Sequence, residues 1–401
     1  MNTLRSKLIL ALAAVIVFSA SCRKTSSTTT NTTVVNPSIY DTVQTRFAVS
    51  ALNNPTLGEI FVSPYLPGDS SSGVVMVLNQ NGHVIKQLKT SGETLNFQKW
   101  VINGKVRYTF EVQDPSIPMY TGGTIPGYEV ITDSNFNVIK KVSLYNNGSI
   151  STSTMKGVDG HDFILLDDNH YILESFYPKT VTNIPDSLAP VVSGVNVIAP
   201  VIQEVVNDVV VWQWDGTNYP EFYATSVEGN TFGDSVNYQD YMHLNAMFID
   251  PRDNNLLLSF RNLDQVVKIN RTTGNIIWRL GGKNSDFPIN SDQFFLRQHN
   301  ITLTDDNATF LLFDDGQTSI RPSSRILEFN LDESAKTILA FRSFDIPEPF
   351  CAYMGSVQKR GNTYFIGGGW ANYVLEVNYL TGEKLMELKA PVDKFYRAYK
   401  Y

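Results

Sequence analysis

The amino-acid sequence predicts an all-β protein made of six similar units that form a six-bladed β-propeller. Short β-branched and aromatic runs bounded by Gly, Asn, Asp and Pro dominate the chain, and no long stretch keeps a helical period. A strand–turn–strand element recurs six times along the sequence. Three of the five histidines also occupy the same phase of a second recurring hairpin. Equivalent positions in a ring of repeats converge on its axis, so the pattern favours a propeller with a central site.

The strand–turn–strand element supplies the outer half of each unit. Its copies are VVMVLNQNGHVIKQL, YEVITDSNFNVIKKV, IQEVVNDVVVWQW, VVKINRTTGNIIWRL, RILEFNLDESAKTIL and YVLEVNYLTGEKLMEL. The residues that follow the six turns are Val84, Val138, Val210, Ile276, Thr337 and Lys384. Units of about 40–50 residues plus loops are what four-stranded blades require. Two stacked β-sandwiches would also show many short strands, but they do not explain why histidines recur in phase.

Closure of the ring requires the two ends of the chain. The tail from Ala390 to Tyr401, or the strands near Phe47, is expected to pair across the first and last blades, because an unclosed sheet edge invites aggregation.

The second recurring hairpin places candidate functional side chains at the axis. His161 opens HDFILLDDNHYIL, His243 opens HLNAMFIDPRDNNLLLSF and His299 opens HNITLTDDNATFLLF. The first strand of a blade lies closest to the axis, so the three imidazoles are expected to share one cavity. Tyr353 aligns with them in the sixth unit. Arg261 follows the run LLLSF, and the hairpin should return it to the neighbourhood of His243.

A ring of imidazoles beside an arginine suits a planar or tetrahedral oxyanion. Arginine presents a fork of donors, and imidazole acts as a nucleophile or as a general acid and base. A lone buried histidine is more often structural, but three in phase favour a functional site. His83 and His170 fall outside that phase and are interpreted as structural or surface residues.

No metal and no cofactor is expected. The Asp-Asp-Asn runs 167–169 and 305–307 lie where hairpin turns favour Asp and Asn without Ca²⁺. Three histidines could bind zinc, but Arg261 beside them would repel a dication. Cys351 is the one cysteine after Cys22, which excludes an internal disulfide framework and a cysteine-based metal site. The net charge of −7 argues against a nucleic-acid partner.

The N-terminus has the order of a lipoprotein-type signal peptide over residues 1–21. Arg5 and Lys7 precede an apolar stretch over residues 8–18, and small residues then lead to Cys22. Residues 22–43 are expected to form a Ser/Thr-rich tether, and residues 44–401 the propeller domain. The sequence therefore predicts an exported protein, lipid-anchored through Cys22 in a bacterial envelope membrane and facing the periplasm. An ordinary secretory signal with an incidental cysteine is the alternative.

A resemblance to a known family appears at these residues. The segment HLNAMFIDPRDNNLLLSFRNLDQVVKINRTTGNIIWRLGG resembles the signature region of bacterial arylsulfotransferases that are independent of nucleotide sulfate donors. The segments GHDF, LRQHNITL, MGSVQ and YRA are similar too, and the resemblance extends from about Ala51 to the C-terminus. It implies a six-bladed propeller with the active site in its central channel. It also implies sulfuryl transfer from a phenolic sulfate ester to another phenol through a sulfated histidine, without metal or nucleotide.

The resemblance assigns roles to individual residues. His299 matches the nucleophile, His243 and Arg261 match the sulfate-binding pair, and His161 matches the remaining channel histidine. Tyr353 is expected to bind substrate at the same mouth. The chain departs from the family in lacking the cysteine pair that some members use for a disulfide, and the full N-terminal β-sandwich extension of others.

Two other functions are compatible with the same residues. A non-catalytic propeller would bind an anionic ligand or a protein partner at the channel mouth. A channel-site hydrolase or lyase would cleave an ester without an acceptor, or would depend on a metal. A covalent histidine adduct is expected of the transferase and not of the binding module.

Overall fold

A computed structural model describes residues 46–189, 194–234 and 236–401. Over these residues the chain forms 26 β-strands, one short α-helix and three 3-10 helices. The first half of the strands comprises β1 (Ala48–Leu52), β2 (Ile60–Val62), β3 (Val74–Leu78), β4 (Val84–Lys89), β5 (Thr94–Ile102), β6 (Lys105–Gln113), β7 (Pro126–Asp133), β8 (Val138–Val142), β9 (Val158–Asp159), β10 (Phe163–Asp167), β11 (His170–Val181), β12 (Val195–Val206) and β13 (Val209–Asp215). The second half comprises β14 (Leu244–Ile249), β15 (Leu256–Phe260), β16 (Gln265–Ile269), β17 (Ile276–Gly281), β18 (His299–Leu303), β19 (Phe310–Asp314), β20 (Arg325–Asp332), β21 (Thr337–Asp345), β22 (Ser356–Arg360), β23 (Thr363–Gly367), β24 (Tyr373–Asn378), β25 (Lys384–Lys389) and β26 (Ala398–Lys400). The helices are α1 (Glu221–Thr225) and the 3-10 turns Gly216–Asn218, Arg261–Leu263 and Gly369–Ala371.

The strands form six antiparallel sheets, which are the six blades of a β-propeller. Blades 2 to 5 are β5–β8, β10–β13, β14–β17 and β18–β21, and β9 pairs with β7 of blade 2. Blade 1 has the order β26-β2-β3-β4, and blade 6 has the order β22-β23-β24-β25-β1. The innermost strands β26, β5, β10, β14, β18 and β22 contact one another in turn around the axis. The predicted fold class is therefore confirmed.

The outer strands begin where the recurring element places them. Val84, Val138, Ile276, Thr337 and Lys384 are the first residues of β4, β8, β17, β21 and β25. Val210 is the second residue of β13. The repeat was visible because these outer strands are half exposed, as in the alternating pattern of β4, and are joined by short polar turns.

Both ends of the chain close the ring. Strand β1 pairs with β25 at the outer edge of blade 6, with Ala48 opposite Lys389. Strand β26 pairs with β2 as the innermost strand of blade 1, with Ile60 opposite Lys400. The sequence offered the two ends as alternatives, and the structure uses both.

The core lies between neighbouring blades. Middle strands such as β3 (VVMVL), β15 (LLLSF) and β19 (FLLFD) are buried along their whole length. Each middle strand packs one face against the preceding blade and the other against the following blade. This double burial explains why these strands appear in the sequence as continuous apolar runs.

A polar cluster fills the middle of the channel. Arg397 is 1% exposed and donates hydrogen bonds to Asp162 Oδ2 at 3.0 Å and to the Asn245 carbonyl oxygen at 2.7 Å. The Tyr396 hydroxyl donates to the same carbonyl at 2.6 Å. The cluster separates two cavities at opposite ends of the inner strands, and Arg397 and Asp162 line the one farther from the histidines.

No helix in residues 46–189, 194–234 and 236–401 is both long enough and apolar enough to span a bilayer.

Candidate active site

A cavity of about 510 Å³ opens at the end of the channel where the inner strands begin. Its lining includes all five of the site residues that the sequence predicts within the propeller: His161, His243, Arg261, His299 and Tyr353. The first strands of blades 3, 4 and 5 therefore bring their histidines to one place.

The rings are in close contact. The centroids of His161 and His243 lie 5.0 Å apart, with the ring planes at 83°. The ring of Tyr396 lies 5.1 Å from His161 and 6.2 Å from His299, so it contacts both imidazoles. Phe176 packs 5.4 Å from His161 and 5.2 Å from His243. These aromatic contacts fix the positions of the imidazole rings.

Two of the histidines are held by an aspartate just before them in the chain. Asp159 accepts a hydrogen bond from the backbone N–H of His161 at 3.1 Å and contacts its Nδ1 through the same oxygen. Asp240 binds the backbone N–H of His243 through Oδ1 at 3.1 Å and its Nδ1 through Oδ2 at 2.6 Å. A carboxylate at Nδ1 orients the ring and stabilises its protonated form.

His299 receives its aspartate from another part of the chain. Its Nδ1 makes a hydrogen bond with the Arg297 carbonyl oxygen at 3.1 Å and lies 2.6 Å from Oδ2 of Asp315, off the direction of a hydrogen bond. Asp315 follows β19, the strand that pairs with β18, and is completely buried. All three imidazoles thus have Nδ1 engaged, which leaves Nε2 as the nitrogen available to a ligand in the cavity.

Burial is the main influence on the pKa of His243 and of His299. Burial lowers the pKa of His299 well below its usual 6.5, and the positive charge of Arg261 lowers it further. Burial also lowers the pKa of His243, against the opposing effect of Asp240. Both shifts favour the neutral imidazole at pH 7. A neutral His299 with Nδ1 engaged carries its lone pair on Nε2, as a nucleophile requires.

Arg261 lies where the predicted hairpin returns. Its backbone N–H donates to the His243 carbonyl oxygen at 2.9 Å, directly after β15. Its Nη1 donates to Glu228 Oε2 at 2.9 Å and to Asn262 Oδ1 at 2.6 Å. The guanidinium lies 5.6 Å from the centroid of the Tyr353 ring.

Sequence reasoning missed three charged residues that line the cavity, Asp240, Arg297 and Glu228. Arg297 donates a hydrogen bond from Nε to Glu228, which therefore bridges Arg297 and Arg261. Arg297 could have been predicted as a site residue, because it lies two residues before His299 in the segment LRQHNITL. Glu228 lies in the long connection between β13 and β14, outside the repeat, and no sequence pattern marked it.

Aromatic side chains border the mouth of the cavity. Tyr353 is 48% exposed, and its ring meets that of Trp370 edge to face at 6.0 Å. Trp370 also lines the cavity. Such a border suits a flat aromatic ring whose anionic group lies deeper, among the histidines and arginines.

The fold and the site together define a propeller whose channel opens into a cavity lined by three histidines and two arginines. The family model Arylsulfotransferase (ASST) matches residues 102–400, and the chain belongs to this family. Membership supports the activity of an aryl sulfotransferase, with small aryl sulfates and phenols as the substrate class.

No curated protein matches the chain. The chain is similar to apo AztD from Citrobacter koseri, at 10% identity and a TM-score of 0.37, over 86% of this chain and 98% of that one. It is also similar to the periplasmic gluconolactonase PpgL from Pseudomonas aeruginosa, at 11% identity and a TM-score of 0.39, over 86% of this chain and 99% of that one.

Proposed function

We propose that the protein moves a sulfuryl group from a phenolic sulfate ester to a phenolic acceptor through a sulfohistidine at His299. The observation that carries this proposal is the buried, Nδ1-anchored ring of His299 in the same cavity as Arg261, His161 and His243. The reaction needs neither a metal nor a nucleotide, because these four side chains supply the nucleophile, the oxyanion donors and the acid.

In the first half-reaction, Nε2 of His299 attacks sulfur. The N–S bond forms as the S–O bond to the phenol breaks, and the electron pair of that bond goes to the phenolic oxygen. Arg261 holds the sulfuryl oxygens, whose charge is dispersed in a loose transition state. The anionic substrate favours protonation of His243, whose ring is supported by Asp240. That imidazolium donates a proton to the leaving phenolate, and His161, held by Asp159, lies beside it.

The second half-reaction reverses these steps with a different phenol. The acceptor loses its proton to the same imidazole, and its oxygen attacks sulfur as the N–S bond breaks. The electron pair of that bond returns to Nε2 of His299. The aromatic border formed by Tyr353 and Trp370 would receive the donor ring and the acceptor ring in turn, which gives ping-pong kinetics.

The test uses a chromogenic aryl sulfate and His299→Ala. Wild-type protein incubated with the donor alone should release phenol in a burst and gain the mass of one sulfuryl group, and added phenol should restore turnover. His299→Ala should show neither burst nor adduct, because it removes the covalent carrier. His83→Ala, in an exposed turn between β3 and β4, is the matched control and should behave as wild type.

Each alternative outcome would indicate a different nucleophile or a different function. If His299→Ala transfers at a near-normal rate while His161→Ala or His243→Ala does not, the nucleophile is misassigned. Phenol release that never needs an acceptor indicates a hydrolase. A wild-type protein that neither releases phenol nor carries the adduct is a binding module.

We further infer that the protein is anchored by a lipid on Cys22 and faces the periplasm, with residues 1–21 removed. These residues and the tether lie outside those that the structure describes. The mature protein should fractionate with membranes, and Cys22→Ser should release it or block its maturation. An unmodified, soluble wild-type protein in the periplasm would show that the signal is an ordinary secretory one.

A further inference from the structure

The mouth of the cavity holds a carboxylate that the sulfuryl-transfer steps do not use. Glu228 Oε2 accepts from Arg261 Nη1 at 2.9 Å, and its Oε1 accepts from Arg297 Nε. Each oxygen of Glu228 therefore binds a different guanidinium, in the way that a small oxyanion would.

The backbone around Glu228 is held firmly. Val227 N–H donates to the Asn262 carbonyl oxygen at 2.9 Å, and Ser226 Oγ donates to the Glu228 carbonyl oxygen at 2.7 Å. Gly229, at φ +61°, packs so tightly against Asp240 that a Cβ would come within 2.1 Å of the Asp240 carbonyl oxygen. Glu228 is thus a fixed part of the cavity wall, tied to the residue that orients His243.

The charge on Glu228 follows from its partners. Burial alone would raise its pKa, but Arg261 and Arg297 outweigh burial and lower it below the usual value. The carboxylate is ionised at neutral pH, and the two arginines remain charged at any physiological pH. Two positive charges and one negative charge leave a single net positive charge on this triad of side chains.

A single net positive charge can distinguish sulfate monoesters from phosphate monoesters, because these esters differ in charge but hardly in shape. Sulfate and phosphate monoesters are both tetrahedral oxyanions, and their hydrogen-bond acceptors are similarly placed. A sulfate monoester has one ionisable oxygen and carries one negative charge. A phosphate monoester loses a second proton with a pKa of about 6 and is largely doubly charged above neutral pH. A site rejects such a competitor most effectively by an unfavourable charge.

We propose that Glu228 sets the charge that the arginine pair offers to a ligand, so that the cavity accepts singly charged sulfuryl esters and rejects doubly charged phosphoryl esters. This inference rests on the proposed function in assigning the anion site to sulfuryl esters. Glu228 is a specificity-determining residue here, because it acts through Arg261 and Arg297 and has no part in the bond changes.

The test measures binding of two ligands that cannot be transferred. Benzenesulfonate is singly charged, and phenylphosphonate is mostly doubly charged at pH 8; both hold the anionic group through carbon. Calorimetry gives the affinity of each for wild type and Glu228→Gln. Glu221→Gln is the matched control, because Glu221 belongs to the same connection, pairs with Arg279 and lies outside the cavity. Arg297→Gln changes the charge in the opposite direction and provides a second variant.

We expect wild type and Glu221→Gln to prefer benzenesulfonate. Glu228→Gln should shift the affinity ratio toward phenylphosphonate by about tenfold or more, which is about 1.4 kcal/mol. Arg297→Gln should shift it the other way. An unchanged ratio in Glu228→Gln, with benzenesulfonate still competing against an aryl sulfate, overturns this inference and leaves the sulfotransferase proposal intact. A wild-type protein that binds neither ligand overturns both.

Discussion

At the scale of single residues, Arg261 shows what a guanidinium contributes that an ammonium does not. Nη1 is committed to Glu228 and Asn262, so a ligand must be bound by the remaining donors of the fork. Lysine places one point charge at the end of a flexible stem and cannot serve both sets of partners. The position therefore depends on geometry as well as on charge.

Arg261→Lys should reduce kcat/KM for an aryl sulfate by about 10- to 100-fold, since a charge-assisted hydrogen bond is worth about 1.5–3 kcal/mol. Steady-state kinetics with a chromogenic donor measure the change. Arg279→Lys, on the outer strand β17, controls for the loss of a guanidinium at a distance from the cavity. An Arg261→Lys enzyme within twofold of wild type would mean that only the positive charge is used.

The residues found in advance and those missed differ in how the chain positions them. His161, His243 and His299 repeat in phase with a hairpin, so their convergence follows from the symmetry of the ring. Asp315 and Glu228 reach the site through a strand pairing and a long connection, and neither contact has a local signature. A repetitive sequence predicts the location of side chains at equivalent positions of the repeats. It does not predict which loop residues, or which residues of a paired strand, reach the site.

At the scale of secondary-structure elements, the two ends of the chain contribute differently to the propeller. Strand β26 is the innermost strand of blade 1 and follows Tyr396 and Arg397, which lie at the axis. Strand β1 is the outermost strand of blade 6. The sequence predicted that one end or the other closes the ring, but it gave neither the use of both ends nor the register of pairings between segments more than 300 residues apart.

Removing residues 396–401 should abolish cooperative folding and activity together, because it opens the ring and empties the axis. Removing residues 46–52 should lower Tm but leave kcat near the wild-type value, since β1 is remote from the cavity. Thermal denaturation and turnover of the two truncated proteins distinguish the cases. Equal effects of both truncations on kcat would show that outer-strand pairing also shapes the cavity.

At the scale of the whole molecule, the protein buries carboxyl groups without hydrogen-bond partners. Glu111 is completely buried, and neither of its carboxyl oxygens has a hydrogen-bond partner within the part of the chain that the structure describes. Burial raises its pKa well above the usual 4.5, and the neighbouring Asp159 and Glu129 raise it further. The folded chain therefore retains a proton that the unfolded chain has released at neutral pH.

This difference makes stability depend on pH. Because the folded state binds more protons, the free energy of unfolding falls as pH rises above about 4.5, by about 1.4 kcal/mol per pH unit for one proton. Glu111→Gln removes that contribution. The free energy of unfolding of the variant, relative to that of wild type, should therefore rise between about pH 5 and pH 7. Urea denaturation at several pH values measures it, with Glu221→Gln as the control. Parallel stability curves for Glu111→Gln and wild type would mean that Glu111 is ionised in the folded protein.

The three histidines come from three successive blades, and this has a consequence for the family's evolution. Propellers as a class range from four to eight blades. A seventh blade here would widen the channel and draw the innermost strands apart, separating the rings of His161 and His243, whose centroids now lie 5.0 Å apart. Selection for sulfuryl transfer would then preserve the number of blades, because a change in that number would disrupt the site even if every side chain were kept.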